Sequence, residues 1–153
     1  MARESVNLNP CFRILHDLTS HANIFFRFRG GQETDAMQLG TFHLFERPFS
    51  RSESEVYEAQ IEQICEADAL GFDRVWLAEH HFSSAPYVPN VEGEYSVCAS
   101  PFAMACAVAR LTRNVRIGSA VKVLPLENPL RTAEDAAMAD ILSGGRLDFG
   151  VGL

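Results

Sequence analysis

The chain has 153 residues, 47% hydrophobic and 22% charged, with a formal net charge of −7. That balance describes one soluble globular domain and argues against a nucleic-acid surface, which needs a basic face. No apolar run approaches the length required to cross a membrane, so the expectation is a cytoplasmic protein with neither nucleic acid nor membrane as partner.

Residues 1–36 differ in character from residues 37–153. They carry four Arg and four acidic residues, so the whole net charge falls on the longer segment. Ile24 to Arg29 suits a short strand, broken by Gly30-Gly31. A signal peptide's apolar core is missing, and Glu4 and Asp17 speak against a transit peptide. Met37 is followed at once by a regular strand, which makes it a candidate natural start and residues 1–36 an atypical extension.

From Met37 the chain alternates strand and helix. Gln38 to Phe45 predicts the first strand, and a polar loop with Pro48 leads to a helix from about Glu53 to Leu70. Tyr57, Ile61 and Ile64 recur at helical spacing and predict its buried stripe. Gly71 ends the helix, and Arg74 to Ala78, with Val, Trp and Leu, suits a strand buried on both faces.

Glu79, His80 and His81 then fall where that strand leaves the core. In α/β proteins the C-terminal strand ends are where ligands bind. Successive strand side chains alternate, so in a regular strand only one of His80 and His81 can face the central cavity. Imidazole titrates nearest neutrality and can act as acid, base or hydrogen-bond donor. On residue pattern alone, catalysis, a solvated strand end and a metal site all remain open readings of Glu-His-His.

The stretch from Phe82 to Ala99, with Pro86, Pro89 and Gly93, is too long for a simple connection and is expected to form part of a site wall. Ser100-Pro101 predicts a capped helix running to about Leu111, apolar nearly all round, with Met104 and Cys106 in the core. Val115 to Leu124 predicts a third strand. Asn128-Pro129 opens a third helix to about Leu142, with Leu130, Ala133, Ala137 and Ile141 as its stripe. Ser143-Gly144-Gly145 stops it, and Arg146 to Val151 begins a fourth strand.

Four strands alternating with three helices imply fold class α/β with parallel strands; alternation by itself does not separate a barrel from an open sheet. Cys11, Cys65, Cys98 and Cys106 form no CxxC pair and no His-spaced zinc pattern, so reduced, mostly buried thiols and no metal are expected. Gly150 and Gly152 mark close approach, either of a flat ligand or of a bulky neighbour. They are not a dinucleotide fingerprint, which needs a third glycine at a strand-to-helix turn.

The order and spacing of several motifs carry a resemblance. They are Gly-Phe-Asp-Arg-Val-Trp-Leu-Ala-Glu-His-His-Phe at 71–82, Ser-Pro-Phe at 100–102 and Arg-Ile-Gly-Ser-Ala-Val-Lys-Val-Leu-Pro at 116–125. Asn-Pro-Leu-Arg-Thr-Ala-Glu-Asp follows at 128–135 and Leu-Ser-Gly-Gly-Arg-Leu-Asp-Phe-Gly-Val-Gly at 142–152. From Met37 onward the chain resembles the N-terminal half of a bacterial luciferase-like flavin monooxygenase.

The resemblance implies a (β/α)8 TIM barrel that binds reduced FMN at the strand ends and uses O2 to oxygenate a small organic substrate such as an aldehyde. A separate flavin reductase would supply the FMN, and the full-length protein could form a homo-oligomer. The protein holds the flavin and excludes water while the cofactor carries the redox step. The resemblance places His80 near the flavin, with His81 beside it as the second catalytic candidate. In a full-length enzyme, alanine at His80 is expected to lower turnover more than flavin affinity, and at His81 to matter less. The resemblance also matches Ala120-Val121 to a non-proline cis peptide beneath the flavin ring, with Val151 and Gly152 lining the same side.

Two departures bear on these implications. Gly152 stands where aldehyde-using luciferases carry a reactive Cys, and Leu153 where an Arg for the flavin phosphate follows, so light emission is not expected. A whole barrel of this type needs roughly 250 residues, so the chain reads as one truncated in its fourth strand, with unpaired edges at its first and fourth strands. The alternatives are a non-catalytic half-barrel remnant and a deazaflavin-dependent oxidoreductase of the same superfamily, although Glu-His-His-Phe resembles the FMN branch more.

Overall fold

The computed structural model describes residues 26–28, 38–82 and 93–152. In chain order its elements are β1 (Phe26–Phe28), β2 (Gln38–His43), β3 (Arg47–Pro48), α1 (Glu53–Leu70), β4 (Arg74–Leu77), β5 (Gly93–Glu94) and α2 (Pro101–Ala109). They continue with β6 (Arg116–Ser119), β7 (Lys122–Val123), a 3-10 turn at Leu124–Leu126, α3 (Pro129–Ser143), β8 (Leu147–Asp148) and β9 (Val151–Gly152). The main sheet has the order β1-β2-β4-β6-β8. β2, β4, β6 and β8 run parallel, as strands joined by crossover helices must.

β1 pairs antiparallel with β2, Phe26 opposite Gly40, so the outer edge of the first parallel strand is covered rather than unpaired as expected. Residues 1–25, and with them most of the N-terminal extension, lie outside the described residues.

Local chemistry explains the helix boundaries. Ser52 and Glu55 form a reciprocal capping box, and Gly71 closes α1 at φ 81°, a backbone conformation that glycine adopts without a Cβ penalty. Its buried line is Val56, Gln60, Ile64 and Ala67, rotated from the predicted stripe, with Tyr57 and Ile61 only partly buried beside it. The rotation has a polar cause. The Gln60 carbonyl oxygen accepts from His43 Nδ1 at 2.6 Å, and His43 Nε2 accepts from the Thr41 hydroxyl at 2.8 Å, so the pairing makes burial of all three tolerable. An apolarity pattern does not register such a residue.

In α3 the predicted stripe is not the buried one. Leu130 and Ile141 are each 77% exposed, while Thr132, Ala136, Ala139 and Ser143 face inward. The inner face is made of small side chains because the helix lies close over Phe102, Cys106 and Leu147. Ser100 and Asn128 cap α2 and α3 as predicted, each followed by proline.

The main core lies between sheet and helices and contains Val75, Leu77, Val115 and Ile117 against Ile64, Ala67, Met104 and Val108. On the other face Phe42, Trp76 and Gly118 share one register line, and the Trp76 ring fills the space that a Cβ at Gly118 would need. Asp68 accepts from the amides of Arg113, Asn114 and Val115 at 2.7 to 2.9 Å, fixing the entry into β6. Arg146 donates to the carbonyls of Ala109, Thr112, Val115 and Ser143, tying the ends of both preceding helices to the entry of β8.

The predicted third and fourth strands are each broken. β6 stops at Ser119, a cis Ala120-Val121 peptide follows, and β7 starts at Lys122. β8 stops at Asp148 and β9 resumes at Val151. The joints face each other. Ser119 Oγ donates to the Gly150 carbonyl at 2.8 Å and accepts from the Gly150 amide at 3.1 Å, an approach that leaves no room for a side chain at Gly150. No helix among the described residues is long and apolar enough to cross a membrane.

Candidate functional site

β4 ends at Leu77, and the chain leaves the sheet while still buried. Ala78 N donates to the His43 carbonyl at 3.0 Å, and His80 N donates to the Cys98 carbonyl at 2.9 Å. Strand alternation therefore does not govern the next residues, and His80 and His81 both line one cavity of about 430 Å³. Phe82, Glu94 and Val97 line it too, with Glu53 from the first turn of α1. Glu94, Ser96, Val97 and Ala99 of the long stretch thus line this cavity; residues 83–92 lie outside the described residues.

The two histidines differ in their surroundings. The His80 ring meets Tyr95 edge-on at 4.5 Å between centroids. Burial pushes its imidazole below the ordinary value, neighbouring His81 adds to this, and Glu79 opposes it. His81 donates through Nε2 to Glu79 Oε1 at 2.7 Å. On the same side, β3 and β5 pair so that Arg47 meets Glu94 at 2.5 Å, which neutralises one of the two carboxylates at the rim.

Ala120, Val121, Val151 and Gly152 are brought together by the pairing of β7 with β9, Lys122 opposite Val151 and Val123 opposite Gly152. A Cβ at Gly152 would lie 2.5 Å from Val121 Cγ2, so this glycine, like Gly150, makes room for the chain itself. Val121 is 36% and Val151 51% exposed, leaving an apolar surface at the strand ends. Ala120 N donates to the Leu77 carbonyl at 2.8 Å, which binds this surface to the strand that carries the histidines.

Sequence reasoning missed the group that joins the two halves. Glu79 is fully buried at its side chain, and Lys122, 5% exposed there, donates to its Oε1 at 2.9 Å and to Glu127 Oε1 at 2.9 Å. Glu79 Oε2 accepts from the Val123 amide at 3.3 Å. Burial opposes the charge on Lys122, but Glu127 and Glu79 outweigh it and hold the ammonium above its ordinary value. The available signal was a lysine inside the apolar run Ala-Val-Lys-Val-Leu, which must find a counter-charge if buried.

None of Ala120, Val121, Val151 and Gly152 lines the cavity that His80 and His81 share; the two regions are joined through the Leu77 carbonyl and the Glu79–Lys122 pair. An exposed apolar surface at the strand ends suits a flat aromatic ring. No Arg or Lys is among the residues that line the cavity, so this lining offers no counter-charge for a flavin's phosphate, while the apolar strand-end surface could take a flat ring. Among the described residues no group of three or more His, Cys, Asp or Glu could hold a metal ion. Cys65, Cys98 and Cys106 are free thiols, and burial pushes Cys98 up to about 11, away from nucleophilic reactivity at neutral pH.

A sequence model of luciferase-like monooxygenases matches residues 37–153. The alkanal monooxygenase alpha chain of Photorhabdus laumondii subsp. laumondii is 32% identical over 115 residues, covering 75% of this chain and 29% of that one. The oxygenase component of the flavin-dependent trigonelline monooxygenase of Acinetobacter baylyi is 34% identical over 101 residues, covering 66% of this chain and 25% of that one. The solved oxygenating constituent of 3,6-diketocamphane monooxygenase from Pseudomonas putida, in complex with FMN, has the same fold at 24% identity. Its TM-score is 0.66, over 76% of this chain and 29% of that one. The chain spans 25% to 29% of the length of these two curated relatives.

Proposed function

Because the chain belongs to the luciferase-like monooxygenase family, we propose that residues 37–153 form the first half of a (β/α)8 barrel and one wall of its site for reduced FMN and O2. The whole enzyme would oxygenate a small organic substrate of the aldehyde class. Residues 1–36 precede the barrel as an extension. The observation that supports this reading is the placement, after the C-terminal ends of the neighbouring parallel strands β4 and β6, of a cavity lined by two imidazoles and of an exposed apolar surface tied to it through the Glu79–Lys122 pair.

When bound, the flavin supplies the electrons and the reaction with O2. This chain's residues supply placement. Ala120, Val121, Val151 and Gly152 offer an apolar floor for the ring, with the absence of a side chain at Gly152 letting the chain close against Val121. His80, shifted toward its neutral form, can accept a proton from the substrate or donate its ring N–H at neutral pH. A separate reductase as the source of reduced FMN is supported by the trigonelline enzyme, whose name describes an oxygenase component.

The test is flavin binding together with turnover, by fluorescence titration with FMN and by incorporation of labelled oxygen into a long-chain aldehyde supplied with reduced FMN. His80→Ala should lower turnover by about 10²-fold or more, the scale of a lost general acid or base, with FMN affinity nearly unchanged. His81→Ala should lower turnover less. Equal and negligible losses at both positions would refute the assignment.

A further inference from the structure

The carboxylate of Glu79 lies below the cavity wall with no exposure and three donors around it: His81 Nε2, Lys122 Nζ and the Val123 amide. A carboxylate accepts and does not donate, so the ring nitrogen facing it must carry a proton. His81 is thereby held with hydrogen on Nε2, and Nδ1, which meets no hydrogen-bond partner among the described residues, is the ring atom left as acceptor. The other contacts of the same carboxylate are to β7, directly after the Ala120-Val121 surface. One buried group thus touches both the imidazole and the strand that carries the apolar floor.

Lys122 explains why a carboxylate is tolerated there. An isolated buried carboxylate is costly, and a buried pair is tolerated only when its remaining hydrogen-bond sites are also filled. Lys122 bridges Glu79 and the partly exposed Glu127, and its own amide donates to the Gly150 carbonyl at 2.9 Å, at the joint before β9.

We propose that Glu79 is a positioning residue that fixes the proton of His81 on Nε2 and couples this ring to the floor strand, with Lys122 as its counter-charge. The coupling to the floor rests on the flavin reading given above, whereas the tautomer of His81 does not. His81 is thereby presented to the cavity with a defined proton acceptor.

The test uses the chain with its histidine rings labelled with ¹⁵N, read by ring-nitrogen correlation spectra above the titration range, alongside FMN titrations. In the unaltered chain His81 should show a protonated Nε2 and a bare Nδ1. Glu79→Gln, nearly isosteric, should turn this into an exchange average of two tautomers and weaken FMN binding about tenfold, the equivalent of one lost charge-assisted hydrogen bond. Lys122→Arg, which keeps the charge, should preserve both readouts, and Lys122→Met should lose both. A His81 signal unchanged by Glu79→Gln overturns the proposal, and so does FMN affinity that stays the same once the tautomer is lost. If no form binds FMN even within a full-length protein that completes the barrel, the flavin reading fails, while the ring spectra still decide the tautomer.

Discussion

Replacing His43 with Gln should flatten the acid limb of the stability curve. His43 has no exposure and sits between Thr41 and Gln60, with its imidazole held down to about 4 by burial, which the Gln60 hydrogen bond opposes. In the unfolded chain the same ring titrates near its ordinary value. The folded pKa is depressed, so the stability this residue contributes is present above the unfolded pKa and is lost as pH falls toward the folded one. The unfolded state gains a proton that the native state refuses. A difference of about 2.5 pKa units corresponds to about 3 kcal/mol over the whole window, of which about 2 kcal/mol falls between about pH 7 and about pH 4.5.

The assay is urea unfolding followed by the fluorescence of Trp76, the single tryptophan, at several pH values for the native chain and His43→Gln. The carboxylates held below their ordinary range, Asp68, Glu55 and Glu94, titrate alike in both proteins and cancel in the difference. The native chain should lose about 2 kcal/mol more than the variant across that interval. Parallel curves would refute the reasoning, because they would mean that His43 takes up its proton as readily folded as unfolded.

Two further substitutions test the packing beneath the site. Gly118→Ala places a methyl group within the Trp76 ring, so the ring must shift; the expected cost is about 1–3 kcal/mol, with a displaced Trp76 emission maximum, and an unchanged urea midpoint would argue against the contact. Arg146→Ala leaves the carbonyls of Ala109, Val115 and Ser143 without their guanidinium donor and should cost about 3 kcal/mol in thermal or urea unfolding. Arg146→Lys should restore only part of that, since an ammonium lacks the planar fork that reaches three directions.

The order of elements was legible in the sequence because it is governed by local chemistry. The Ser52 capping box, the prolines after Ser100 and Asn128, and the left-handed glycines Gly71 and Gly144 act within a few residues, and the helices begin and end where these devices put them. The motif Glu-His-His at a strand end was visible for the same reason. Helix faces were less legible. Gln60 is buried in α1 because His43, seventeen residues earlier, accepts its company, and Leu130 and Ile141 are exposed in α3 because the small residues Ala136 and Ala139 let that helix approach α2 closely.

What the sequence by itself determined, then, was the alternation of strand and helix, the helix ends, and the residue types available at the strand ends, all set by propensities and caps that need no distant partner. Tertiary structure decided which of those residues meet. β4 releases the chain at Leu77, so both histidines reach one cavity, and Lys122 crosses from β7 to Glu79, forty-three positions earlier. A buried charge can be recognised in a sequence as needing a partner, but only the packing of strands selects the partner, because the choice depends on distances between segments that sequence separation does not encode.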